Sequence, residues 1–181
     1  MKSLLFSFVI GMLAIMQSGC GLAQSKNKKY PDPPVAVSKT TYPIQLTDAQ
    51  WRAKLTPAQY FILRQQGTEP AGNGKYNHFY EKGMYYSAAT LQPLFSSETK
   101  FDSGTGWPSF YAPINADAVR LVRDNTDGME RMEVVDSKSG SHLGHVFDDG
   151  PKPTGKRYCL DSDALLFVPD GGKPPVTSKP L

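Results

Sequence analysis

Glycine and proline cut this chain into pieces too short for a helical bundle. It holds 16 glycines and 15 prolines among 181 residues, a share of about 17% against roughly 12% in average proteins. Past Gly67 the runs between these breakers read as strands, at 84–88, 119–123, 129–135, 142–147, 157–160 and 164–168. Ahead of Gly67, Thr47-Asp48-Ala49-Gln50 and Thr56-Pro57-Ala58-Gln59 each set a threonine three residues before a glutamine. That spacing is a capping box, and Pro57 sits where a helix does not need its N–H. The sequence therefore predicts a mainly β, mostly antiparallel domain over residues 47–168, opened by two short N-terminal helices that stop at Gly67.

The 20 Lys and Arg against 17 Asp and Glu leave a net charge of +3. The basic residues are scattered apart from Lys26, Lys28 and Lys29, so no nucleic-acid partner is expected. At the start of the chain, Lys2, an apolar run over 4–16 and Gln17-Ser18-Gly19-Cys20 have the layout of a bacterial export signal over residues 1–23. The run is shorter than the ~20 residues that cross a bilayer as a helix. Its ending resembles a lipoprotein signal, in which Cys20 carries the lipid and holds the protein to a membrane of the periplasm or cell envelope. Cleavage after Ala23 is the other reading. Residues 24–46, with Pro31, Pro33, Pro34 and Pro43, read as an extended linker, and residues 169–181, with Gly171-Gly172 and Pro174-Pro175, as a disordered tail.

Either export route leaves Cys159 as the one usable thiol, because the chain has only two cysteines and Cys20 is lipidated or removed. A lone thiol in an oxidising compartment calls for an explanation. On a strand Arg157 and Cys159 share a face, and a guanidinium beside the sulfur favours the nucleophilic thiolate. The plainer alternative is a buried structural cysteine beside a surface arginine. His142 and His145 lie three apart and face opposite sides of a regular strand, unless a bulge at Gly144 turns both rings to one side. Such a pair suits general acid chemistry near neutral pH, with a carboxylate such as Asp149 holding one ring in its tautomer. Histidines satisfied by backbone groups, or a zinc site of His142, His145 and Cys159, are the competing readings. Trp107, among turn glycines with Phe101 and Phe110 on either side, suits either an apolar pocket wall for a methyl–sulfur group or a place in the core.

These segments together resemble the B-type methionine sulfoxide reductases. The resemblance runs from about residue 55 to 168, through Gly67-Thr68-Glu69-Pro70, Leu94-Phe95-Ser96-Ser97-Glu98-Thr99-Lys100-Phe101-Asp102-Ser103-Gly104, Gly106-Trp107-Pro108-Ser109-Phe110, Arg131-Met132-Glu133, His142-Leu143-Gly144-His145-Val146-Phe147, Asp149-Gly150-Pro151 and Arg157-Tyr158-Cys159. It implies a fold of two antiparallel β-sheets with small peripheral helices, and thiol-dependent reduction of the R epimer of methionine sulfoxide in oxidised proteins. Matched residue by residue, Cys159 is the expected nucleophile and Arg157 its cation. His142, His145 and Asp149 are the expected polar groups around the sulfoxide oxygen, and Trp107 the aromatic that receives the methyl group. Attack by Cys159 on the sulfoxide sulfur would leave a sulfenic acid.

Three departures from the family pattern carry consequences. Positions where many members bind zinc through two cysteine pairs read Ser87, Thr90, Asp136 and Ser139, so the chain resembles a zinc-free branch with neither metal nor other cofactor. Thr105 stands where a resolving cysteine is common, so an external thiol reductant such as a thioredoxin-like protein is the expected partner. Asp161 stands where asparagine is common, beside the expected substrate and on the face of Cys159, where an ionised carboxylate would raise the thiol pKa. A thiol peroxidase and a non-catalytic module that binds oxidised methionine are the alternative functions.

Overall fold

Residues 29–176 are described by the computed structural model. The expected export signal with Cys20, the first residues of the expected linker and the last five of the expected tail lie outside the described residues.

Both capping boxes form. Helix α1 spans Asp48–Lys54 and helix α2 spans Pro57–Gln65. The Gln50 amide donates to Thr47 Oγ1 at 3.3 Å and the Thr47 amide to Gln50 Oε1 at 2.8 Å. Gln59 and Thr56 repeat the exchange at 3.2 and 3.1 Å, so two orphan donors are satisfied at each helix start. The stop of α2 differs from expectation by one residue. Gln66, not Gly67, takes the left-handed conformation with φ of 54°. At Gly67 the Phe61 ring lies over the backbone, and a Cβ there would come within 2.3 Å of it unless the ring moved.

Nine strands follow among the described residues, in two antiparallel sheets: β1 Gly83–Ser87, β2 Pro93–Ser96, β3 Lys100–Phe101, β4 Ser109–Phe110, β5 Val119–Asp124, β6 Arg131–Asp136, β7 His142–Phe147, β8 Arg157–Leu160 and β9 Leu165–Pro169. The smaller sheet has the order β2-β1-β9 and the larger β3-β4-β8-β7-β6-β5. The six expected strands fall close to observed ones. Strands β3 and β4 escaped the sequence reading because they have two residues each, too few for an alternation to show, and β2 because it starts at a proline and buries two adjacent residues, Leu94 and Phe95.

The sheets pack through aromatic rings. Tyr85 on β1 lies 5.0 Å from Phe110 on β4, and Phe95 on β2 lies 5.6 Å from Tyr158 on β8, between ring centroids. Successive side chains on a strand point to opposite faces. With Phe110 and Tyr158 turned into the core, Ser109 and Cys159 must emerge on the outer face of the larger sheet. Burial of the aromatic layer thus aims the thiol outward.

The described part of the expected linker is not free. Pro34 and Ala36 exchange backbone hydrogen bonds with Leu121 on the edge strand β5, at 3.1 and 2.7 Å, and the Ile44 amide donates to Lys138 at 2.8 Å. Ile44 and Leu46 pack against the core. The segment is a strap that covers a sheet edge, and main-chain pairing of this kind needs no hydrophobic period to announce it. At the other end β9 runs through Pro169, one residue past the expected boundary, and the Asp170 amide is tied to Lys82 at 3.0 Å. Among the described residues no helix is long and apolar enough to cross a membrane.

Candidate active site

Strand register assembles a row of side chains on the outer face of the larger sheet. Glu133 on β6 opposes His145 on β7, His145 opposes Cys159 on β8, and Cys159 opposes Ser109 on β4. Directly opposed residues in an antiparallel pair project from the same face, so carboxylate, imidazole, thiol and hydroxyl stand side by side.

His142 joins this row through a bulge. Val134 pairs with Gly144 but Val135 pairs with His142, so β7 carries one extra residue at Leu143. The extra residue inverts the alternation, and the two imidazole rings stand edge to face with centroids 5.5 Å apart. Gly144 has φ of 146° and a Cβ there would lie 2.1 Å from the Cys159 carbonyl oxygen, so this crossing of β7 and β8 requires glycine.

Each ring has its own carboxylate, and neither is Asp149. His142 Nδ1 bonds Glu133 Oε1 at 2.7 Å, and His145 Nε2 bonds Asp124 Oδ2 at 2.8 Å. With Asp124 ionised, neutral His145 carries its proton on Nε2 and leaves Nδ1 as an acceptor. Burial, ahead of the opposing pull of Asp124, holds His145 below its ordinary pKa, which keeps it neutral at physiological pH. Asp124 lies well below the usual carboxylate range because it accepts from the Thr126 hydroxyl and amide as well as facing His145 and Arg131. These residues line a small polar cavity of about 90 Å³ together with Gln66, Thr68, Thr126 and Arg131.

Asp149 clamps Arg157 instead. Its two oxygens accept from Arg157 Nε and one terminal nitrogen, both at 2.9 Å, and the guanidinium stacks over the Phe147 ring at 4.3 Å. A bidentate pair of this kind fixes the plane of the guanidinium. The expectation that Asp149 orients a histidine is thereby corrected: the turn after β7 carries the carboxylate past the rings and onto the cation.

Arg157 and Cys159 share a face as expected, yet the arginine does not dominate the thiol's electrostatics. Burial pushes the Cys159 pKa up, and this outweighs the opposing effects of the Thr105 hydroxyl, the Arg157 charge and the Ser109 hydroxyl. Thr105 Oγ1 lies 3.7 Å from Cys159 Sγ.

Asp161 also departs from expectation. Strand β8 ends at Leu160, and Asp161 leads into a turn over Ser162–Ala164. It accepts from the Glu69 amide at 2.8 Å, and its other oxygen lies 3.8 Å from His142 Nε2. It therefore faces His142, and Cys159 takes its electrostatic character from burial, Arg157 and the two hydroxyls. His142 Nε2 is buried and makes no hydrogen bond among the described residues. Burial pushes Asp161 up to about 6, against the Glu69 amide and His142, with Glu69 and Asp163 adding repulsion.

Glu69 braces both sides of the site. Its carbonyl accepts from Trp107 Nε1 at 3.0 Å, its amide holds Asp161, and its carboxylate accepts from the Ser162 amide at 2.8 Å. Trp107 is half-buried on the approach to β4, its indole plane fixed by that one bond. Glu69, Asp124 and Glu133 were absent from the expected site. Glu69 and Glu133 lie inside quoted motifs, but nothing in their spacing reveals which side chains they meet.

Away from this face, the four positions matching the zinc cysteines of other members form a hydrogen-bonded knot. Fully buried Asp136 accepts from Thr90 Oγ1 at 2.6 Å, Gln92 Nε2 at 2.9 Å and the amides of Lys138 and Ser139 at 2.7 and 3.1 Å. Ser87 Oγ accepts from the Ala89 and Thr90 amides. One carboxylate and three hydroxyls, already engaged, are a poor donor set for zinc, which favours thiolate and imidazole.

A half-buried cysteine flanked by a clamped arginine and carboxylate-held histidines, on the outer face of a two-sheet β domain, defines a protein built for thiol redox chemistry. Comparison with known proteins makes the class specific: residues 55–169 match the SelR domain family, to which the chain belongs. The chain is 60% identical over 123 residues to a peptide methionine sulfoxide reductase MsrB of Thiobacillus denitrificans, covering 68% of this chain and 93% of that protein. It is 56% identical over 125 residues to the protein of that name from Methanosarcina mazei, covering 69% and 89%. It is 47% identical over 126 residues to the mitochondrial methionine-R-sulfoxide reductase B3 of mouse, covering 70% and 50%.

Proposed function

We infer that this protein is a peptide-methionine (R)-S-oxide reductase in which Cys159 is the nucleophile. The observation that carries this reading is the ladder position of Cys159, opposite His145 and two residues from a clamped Arg157. Cys159 sulfur attacks the sulfoxide sulfur as Arg157 stabilises the thiolate. The proton that Cys159 gives up passes to the sulfoxide oxygen by way of the histidine side, and the Trp107 indole receives the methyl group. In sum, sulfoxide and thiol become methionine and Cys159 sulfenic acid, with the oxygen carried to the enzyme sulfur.

Cys159 is the one free cysteine among the described residues, and Thr105 beside it cannot form a disulfide. Two thiols of an external reductant, such as a thioredoxin-like protein, then return the sulfenic acid to thiol and release water. The residues at the four zinc positions favour a metal-free enzyme. The N-terminal signal pattern supports an exported, lipid-anchored protein of the cell envelope, a reading tested by the mass and lipid content of the mature N-terminus.

The reaction is tested by chiral chromatography of free and peptide-bound methionine sulfoxide after incubation with the protein and dithiothreitol, beside Cys159→Ser. Loss of the R epimer alone, abolished by the substitution, is the expected result. Consumption of peroxide with neither epimer reduced would favour a peroxidase, and sulfoxide retained unchanged by a folded protein would favour a binding module.

A further inference from the structure

Three hydroxyl groups are linked in an unbroken line beside the Cys159 sulfur, and the hydroxyls at its two ends, Thr105 and Ser109, both act on that sulfur. Thr105 Oγ1 lies 3.7 Å from Sγ, Ser103 Oγ lies 2.8 Å from Thr105 Oγ1, and Ser109 Oγ lies 2.8 Å from Ser103 Oγ. The line ends where Ser109 Oγ donates to the Trp107 carbonyl at 3.2 Å. Ser109 is fully buried, so its hydroxyl has no water to turn to.

A hydroxyl carries one hydrogen, and a carbonyl only accepts. With the sulfur protonated, the line therefore has one filled polarity: the thiol donates to Thr105, Thr105 to Ser103, Ser103 to Ser109, and Ser109 to the Trp107 carbonyl. The Thr105 amide, 3.4 Å from Ser103 Oγ, adds a donor to Ser103 in that arrangement. Once the sulfur loses its proton the first link can be kept only by reversal. Thr105 then donates to sulfur, Ser103 to Thr105 and Ser109 to Ser103, while the Trp107 carbonyl gives up its donor. Each hydroxyl rotates about its own C–O bond and no proton changes owner along the line.

We propose that Ser103, Thr105 and Ser109 are positioning residues of the reductase, a hydroxyl relay that reverses its donor direction to stabilise the Cys159 thiolate. The proposal rests on the reading of Cys159 as nucleophile and adds to it how a buried thiol, on a site without a resolving cysteine, becomes an anion. Hydrogen bonds to a charged acceptor exceed those to a neutral one, and chains of them reinforce one another. Besides Thr105, the groups that face the sulfur are Ser109 on β4, Arg157 on its own strand and neutral His145 across the ladder. Asp149 is held on the far side by Arg157, and Asp161 faces His142.

The test uses the full chain carrying Cys20→Ser, so that Cys159 is the one thiol. The thiolate is titrated by its ultraviolet absorbance and by the pH dependence of alkylation with iodoacetamide, neither of which requires substrate. Thr105→Val should slow alkylation near neutral pH roughly three- to tenfold while leaving the alkaline plateau intact, and Thr105→Ser should restore it. Ser103→Ala, which removes the second link without touching sulfur, should shift the midpoint in the same direction by less. Wild-type midpoints in both Thr105→Val and Ser103→Ala would overturn the relay. If Thr105→Val fails to fold, Ser103→Ala alone decides. Unshifted midpoints in the variants beside normal R-sulfoxide reduction by the wild type sink the relay and spare the activity, and shifted midpoints in the variants beside a wild type that reduces neither epimer do the reverse.

Discussion

Gly144 and Cys159 touch through their backbones. A Cβ on residue 144 would sit 2.1 Å from the Cys159 carbonyl oxygen and 2.8 Å from the Leu160 Cα, at a φ of 146° that L side chains rarely adopt. The closeness serves the site, since the same residue adjoins the bulge at Leu143 that turns His142 toward His145. Gly144→Ala must push β7 from β8 or strain the backbone, at a cost of about 3 kcal/mol or more. Urea denaturation is expected to show that loss, with catalytic activity falling further than the unfolded fraction explains. Wild-type stability would mean that the two strands have slack.

The resting thiol is pulled two ways, by burial toward the protonated form and by Arg157 toward the thiolate. Removing the charge leaves burial unopposed on that side, so Arg157→Met should raise the Cys159 pKa further. The expected outcome is roughly tenfold slower alkylation near neutral pH with convergence at alkaline pH. Asp149 is largely exposed and gains solvent in the variant, so overall stability should change little. Faster alkylation would show that the arginine works by blocking access.

Asp161 is a buried acid whose pKa is raised to about 6. The folded protein thus binds a proton more tightly than the unfolded chain, and stability falls as pH rises from about 4 to 6. Asp161→Asn keeps an acceptor for the Glu69 amide and removes the charge. It is expected to stabilise the protein above pH 6 by on the order of 2 kcal/mol and to have little effect near pH 4. Paired melts at the two pH values check this. A gain of equal size at both would assign it to packing.

The Asp136 knot joins the turn after β1 to the turn between β6 and β7. Asp136→Ala strips the acceptor from buried Gln92, partly buried Thr90 and two amides, and breaking such a network costs about 3–5 kcal/mol. Asp136→Asn should cost far less, because the Thr90 hydroxyl can rotate to accept. Thermal melts should also be unmoved by a strong zinc chelator. A drop in melting temperature with chelator would place a metal where the hydrogen bonds stand.

Much of this architecture could be read residue by residue. Thr47 and Thr56 with their glutamines mark both helix starts, since a cap is a contact between residues three apart. The runs around Val119, His142 and Arg157 mark strands by their alternation, and the placing of Arg157 and Cys159 on one face follows from the same period. Even the bulge beside Gly144, whose extra residue is Leu143, was suggested by a glycine between two histidines. Family resemblance, carried by long motifs in order, supplied the two-sheet fold and the expected nucleophile.

The partners were decided only in three dimensions. Glu133 meets His142 across nine residues of chain, Asp124 meets His145 across 21, and Glu69 meets Asp161 across 92. None of these pairings has a local period, because each depends on register between strands or on where a loop comes to rest. The same holds for Asp149, close in sequence to both histidines yet turned by its loop onto Arg157. By itself the sequence determined what recurs at fixed spacing: caps, breakers, strand faces and the residue types chemistry requires. Tertiary structure decided which carboxylate holds which cation or ring, and whether burial or charge governs the thiol, because those are sums over neighbours that only packing brings together.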